Sequence, residues 1–199
     1  MRRTFLRLIT TIPSCLAPAV AFAHPSIGSH VDFAGGFAHP LSGLDHVLAM
    51  VAVGMFAAHL GGRALVLLPA TFVLVMAAAG GLGMAGIGLP FVELGIALSV
   101  IVLGAAIAFR LKAPVVIAMT VVGFFAIFHG HAHGTEMAGL SAGALYGVGF
   151  VLATALLHAA GIGIGVAIDG LGAVQGKRLY QLSGSAMALA GVAILAGVI

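Results

Sequence analysis

The chain has 199 residues, of which 62% are hydrophobic and only 7% charged, and its mean hydropathy is +1.25. A soluble domain carries about 25% charged residues, so this composition excludes a water-soluble globule and points to a bilayer as solvent. The formal net charge of +3 is concentrated at the N-terminus and gives no reason to invoke nucleic acid.

Residues 1–23 read as a cleavable signal peptide. Arg2, Arg3 and Arg7 make a basic start, Leu8 to Val20 is a short apolar stretch broken by Pro13 and Pro18, and Ala21-Phe22-Ala23 is an A-x-A cleavage site. Its removal takes three of the eight basic residues and leaves five against five acidic ones. Cys15, the only cysteine, goes with it, so the mature chain 24–199 offers a metal no thiolate. All nine histidines remain. His24, His30 and Asp32 form a polar tail suited to collecting metal ahead of the first span.

Six apolar runs of about the 20 residues that cross a bilayer follow. They fall at Leu41–Leu60, Ala64–Leu82, Leu89–Phe109, Pro114–His133, Leu140–Ile168 and Leu179–Ile199, punctuated by glycine- and proline-rich breaks. The expected fold is an all-α, polytopic bundle of about six transmembrane helices. Signal cleavage leaves the new N-terminus in the periplasm. Threading six spans from there puts Arg63, Arg110, Lys112, Lys177 and Arg178 on the cytoplasmic side of an inner membrane, as the positive-inside rule requires. Gly143/Gly147 and Gly161/Gly165 have the spacing of close helix packing.

Both histidine clusters then lie at the outer ends of their spans. In His39-Pro40-Leu41-Ser42-Gly43-Leu44-Asp45-His46, Pro40 suits a first helical turn, and an onward helix places Ser42, Asp45, His46, Ala49 and Met50 on one face. A carboxylate beside an imidazole at a span's end should face the bundle interior; it serves equally well as a ligand pair or as a structural hydrogen bond. In Phe128-His129-Gly130-His131-Ala132-His133-Gly134-Thr135-Glu136, His129, His133 and Glu136 share a helical face. His131 points nearly opposite and fits a surface position. Imidazoles with carboxylates suit nickel, cobalt, zinc or copper(II) and disfavour magnesium and calcium.

Glu93, on the same side, is a ligand candidate or a helix N-terminal charge. His158, inside the fifth span, is a functional candidate or a neutral hydrogen-bonded imidazole. His59 reads as structural. Gly172 to Lys177 looks briefly like a phosphate loop, but its spacing is short and Arg178 stands in place of Ser or Thr.

His39-Pro40-x-x-Gly43-x-Asp45-His46 with Phe128-His129-Gly130-x-Ala132-His133-Gly134-x-Glu136 resembles the two motifs of the HupE/UreJ family of bacterial nickel/cobalt permeases, across nearly the whole mature chain. The resemblance implies that His39, Asp45, His46, His129, His133 and Glu136 recognise or move a metal ion. It also implies an importer of Ni2+ or Co2+ rather than an enzyme, with no catalytic cofactor, serving hydrogenase or urease maturation proteins. A homo-oligomer is compatible with it. The competing expectation is a membrane-embedded zinc hydrolase, similar to alkaline ceramidase-like enzymes, using Ser42, Asp45, His46 and the second cluster. A sensor or metal chaperone for a partner permease would scarcely need six helices.

Overall fold

The computed structural model of the chain describes residues 32–137 and 143–199. The expected signal peptide, His24 and His30 lie outside these residues. Among the described residues the fold is all α, with seven helices and no strand. They are α1 (Phe33–Ser42), α2 (Leu44–Leu60), α3 (Ala64–Met84), α4 (Val92–Ala108), α5 (Val115–Met137), α6 (Gly143–Asp169) and α7 (Ala173–Leu195).

Five of the six expected runs correspond to α2 through α6, with shifted ends. Two corrections are larger. Residues 33–42, expected to be tail and the start of a span, form a separate helix. Asp32 caps it, accepting from the Gly35 amide at 2.8 Å. Pro40 sits near its end rather than in the first turn of a span, and Gly43 is extended, with φ −96° and ψ 122°. A proline that cannot donate, followed by a break at Gly43, turns the chain through 84° between α1 and α2. The last helix begins at Ala173, six residues before the expected Leu179. Lys177 and Arg178 lie exposed within its first turns, because hydrophobicity marks where lipid begins and not where a helix must.

Three helices, α3, α5 and α6, are long and apolar enough to cross a membrane, and the bent α1–α2 pair makes a possible fourth. At 1.5 Å per residue the 17-residue α4 is about 26 Å long, short of the roughly 30 Å hydrocarbon core. The first half of α7 carries Gln175, Lys177, Arg178 and Gln181. The six-span expectation is thus met in part, by several apolar helices compatible with a multi-pass membrane protein.

Exposure runs opposite to that of a soluble protein. Val66, Leu74, Val116, Leu182 and Leu189 point outward, while His46, Ser99, His129, His133, Thr154 and His158 are buried. The main helix contacts pair α3 with α5, α4 with α7, α2 with α6 and α1 with α6. Glycines permit these approaches. A Cβ on Gly130 would strike the Met76 carbonyl, and one on Gly134 the Gly80 carbonyl, fixing α5 against α3. Gly161 meets the α2 backbone at Val51, and Gly165 meets Ala58, as their spacing suggests. A Cβ on Gly147 would meet nothing within 4 Å among the described residues, so the Gly143/Gly147 pair is not a packing motif among them.

The two ends of the bundle differ in chemistry. At one end Lys112 Nζ donates to the His59 carbonyl at 2.8 Å, and Arg110 lies 5.9 Å from the Tyr180 ring centre. His59 itself is buried against Tyr180, which suits the structural role expected of it. Arg110 has φ +50° and closes α4 by the left-handed route, its amide reaching the Ile107 carbonyl. The histidine cluster occupies the opposite end.

Candidate metal centre

Three elements deliver the cluster. The elbow at Gly43 lays α1 against α6, so that His39 reaches toward the end of α5. The first turn of α2 carries Asp45 and His46 inward. Helix α5 runs on past the expected His133 to Met137, so His129, His133 and Glu136 project from one continuous helix. Phe128 helps to set its rotation, its ring lying where a Cβ on Gly95 of α4 would be.

The polar contacts close on His133. Its Nδ1 lies 3.2 Å from Glu136 Oε2, and His39 Nε2 reaches that same oxygen at 3.2 Å. His39, His133 and Glu136 each offer a ligand atom, all within 4.8 Å of one another. On its other side, His133 Nε2 faces His46 Nε2 within hydrogen-bonding distance. His46 Nδ1 in turn lies 2.9 Å from Asp45 Oδ1. The His129 ring stands 4.8 Å from that of His46, centre to centre. All six residues singled out by the two motifs therefore form one contiguous group.

Proton placement follows from the partners. A carboxylate accepts only, so His46 donates from Nδ1 to Asp45, and His133 donates from Nδ1 to Glu136. Each neutral ring then keeps its lone pair on Nε2, and the two Nε2 atoms face one another. Two lone pairs facing each other in a buried space are relieved by a shared proton or by a cation that both nitrogens ligate. Carboxylates that orient imidazoles from behind are the usual outer support of a metal site. His129 is fixed similarly. The Ser99 hydroxyl donates to the Ile96 carbonyl at 2.6 Å, and so accepts from His129 Nε2 at 3.0 Å. That leaves His129 Nδ1 buried, with no hydrogen-bond partner among the described residues.

Ser99 was not anticipated from sequence; its only signal is an isolated hydroxyl in an apolar helix. Phe150 of α6, 4.4 Å from the His133 ring centre, and Tyr146, 5.9 Å from that of His39, complete the wall. A cavity of about 700 Å3 between α3, α5 and α6 borders His133, but its other walls are apolar.

The weaker candidates separate from the group. Glu93 is exposed in the first turn of α4. Met50 is wholly buried in the hydrophobic core one turn beyond His46. His158 lies deeper, in α6. His131 is not at the surface: it is 7% exposed, and its Nε2 donates to the Ile87 carbonyl at 2.6 Å, a structural tie between α5 and the segment before α4. Ser42 does not share a face with His46, because the helix breaks between them. It is exposed, and its hydroxyl donates to the His39 carbonyl at 2.7 Å.

The helices and their buried imidazoles define an all-α, membrane-type chain with a histidine–carboxylate cluster at one end. The HupE / UreJ protein family profile matches residues 12–194. A curated relative, Protein HupE of Rhizobium leguminosarum bv. viciae, is 45% identical over 194 residues, covering 97% of this chain and 99% of the relative. The chain belongs to the HupE/UreJ family. No solved structure matches it.

Proposed function

We propose that this protein imports a first-row divalent metal ion across the bacterial inner membrane, with nickel the first candidate and cobalt the second. The observation that carries the reading is the pair of facing Nε2 atoms on His46 and His133, each imidazole backed by a carboxylate. Family membership supports the same reading and suggests delivery to hydrogenase or urease maturation. In this proposal α2 to α7 are the six spans and the signal peptide is cleaved. The mature N-terminus and the cluster then face the periplasm, and the basic residues between spans face the cytoplasm.

The group works as two stations sharing His133. His39, Glu136 and His133 receive the ion from outside. His46, His133 and His129 then hold it by nitrogen alone, which selects borderline dications over magnesium and calcium. The membrane potential supplies the drive. About 100 mV is worth about 2.3 kcal/mol per charge, hence roughly 4.6 kcal/mol for a dication and about three decades of accumulation.

The test is initial-rate uptake of radiolabelled nickel into cells expressing the chain, against an empty vector and in competition with cobalt, zinc and copper. Uptake displaced by one of these metals supports the reading and ranks the cargo; no uptake of any metal by correctly inserted protein overturns it. Protons compete with metal for imidazole lone pairs. Uptake is therefore expected to fall as external pH is lowered from about 7 to about 5. A flat rate over that range would argue against imidazole ligation.

The hydrolase reading needs Ser42 beside the cluster, and the exposed hydroxyl tied to the His39 carbonyl does not favour it. Ser42→Ala is expected to keep nickel uptake within about twofold of the unaltered chain, the loss of one exposed hydrogen bond having a small effect.

A further inference from the structure

Beneath the cluster lies a buried histidine that the family motifs do not include. His158 of α6 is 1% exposed, and neither ring nitrogen has a hydrogen-bond partner among the described residues. Both nitrogens of a buried imidazole are ordinarily satisfied, and an ionisable group inside a membrane bundle is retained at a cost. Its carbonyl lies where a Cβ on Gly54 would be, so His158 stands level with a residue eight positions beyond His46 on α2. At 1.5 Å per residue that is about 12 Å deeper.

Phe72 of α3 separates the two levels. Its side chain is fully buried, and its ring centre is 5.5 Å from that of His129 and 5.2 Å from that of His158. One turn nearer the cluster on the same two helices, on the outer side of Phe72, the Thr154 hydroxyl points at Met76 Sδ from 4.0 Å, both residues being buried. At the level of His158 the adjoining turns of α3 and α6 supply no carboxylate.

We propose that His158 is an inner station for the dication in transit, and that Phe72 is the barrier between it and the outer cluster. The proposal rests on the permease reading. Neutral imidazole nitrogens accept a borderline first-row dication and disfavour magnesium and calcium. Without a carboxylate they hold it weakly, as a through-path requires, since an ion bound too well inside would not leave. The outer cluster, with two carboxylates, captures; the inner station passes the ion on.

The experiment uses the full chain in lipid nanodiscs for equilibrium cobalt(II) binding, and in proteoliposomes for initial-rate cobalt uptake. His158→Ala and His158→Gln are expected to keep the affinity of the outer cluster while uptake falls at least tenfold. Phe72→Leu is expected to keep that affinity and to raise uptake at least twofold. Wild-type uptake in both His158 variants would overturn the inner station, as would cobalt binding lost in folded His158 variants. An unchanged rate in Phe72→Leu would overturn the barrier. Should these two His158 variants insert poorly, His158→Asn decides: a fall of at least tenfold supports the station, and a wild-type rate overturns it. Failure of the unaltered chain to bind or move cobalt would instead strike at the permease reading itself, and the station would fall with it.

Discussion

His46→Ala and His133→Ala are each expected to abolish nickel uptake, to less than about 2% of the unaltered rate at matched membrane abundance. Losing an outer partner of a metal ligand typically costs 10–100-fold, and these substitutions remove the proposed ligands themselves. His133 is the more severe case. It faces Glu136 through one ring nitrogen and His46 through the other, so its loss disconnects the outer station from the inner half of the cluster. Asp45→Asn separates ligation from orientation. An amide can still accept from His46 Nδ1 but supplies no charge, so a partial fall of about 10–100-fold is expected. Uptake by His133→Ala at more than about half the unaltered rate would remove the cluster from the transport path.

Gly130→Val is expected to lower membrane abundance several-fold and to eliminate nickel binding by the protein that remains. The position lies between His129 and His131 on α5, where any Cβ runs into the backbone of α3 at Met76. Overpacking typically costs about 1–3 kcal/mol. Here the obstacle is a helix backbone and not a flexible side chain, so the upper end applies. A loss of about 1–2 kcal/mol already changes abundance several-fold. Gly147→Ala is the matched control, since no described residue lies within 4 Å of its added methyl. Abundance and thermal stability in detergent should be unchanged by it. Equal behaviour of the two variants would show that the α3–α5 approach is not what holds α5 in place.

Much of this arrangement was legible in the residues. The 3.6-residue period alone puts His129, His133 and Glu136 on one face, and α5 carries them so. The charge pattern puts Arg110 and Lys112 at the end opposite the two histidine motifs, where they meet Tyr180 and His59. The elbow was harder to see. Pro40 is as compatible with the first turn of a helix as with the last, and only packing against α6 decides between them: a Cβ on Gly36 would strike Tyr146, and one on Gly149 would strike Phe33. Reading one unbroken helix from Pro40 put Ser42 on the face of His46; the break at Gly43 removes it. Ser99 was illegible for another reason. It lies 30 residues from His129, and no local pattern links an isolated serine in α4 to a ring on α5. The meeting of α2 with α5 is likewise tertiary. Motifs suggest that two clusters belong together without saying which atoms face which.

The distance along the chain between His46 and His133 bears on how the protein is made. They are 87 residues apart, so at about 5–20 residues per second the first leaves the ribosome roughly 4–17 s before the second. Throughout that interval Asp45 and His46 sit at the start of a nascent membrane helix without their partners from α5. Their own contact, Asp45 Oδ1 to His46 Nδ1 at 2.9 Å, joins adjacent residues and needs no other helix to form. The same pair that orients the imidazole in the finished protein thus shields it during synthesis, when an unpaired polar group in lipid would be most costly.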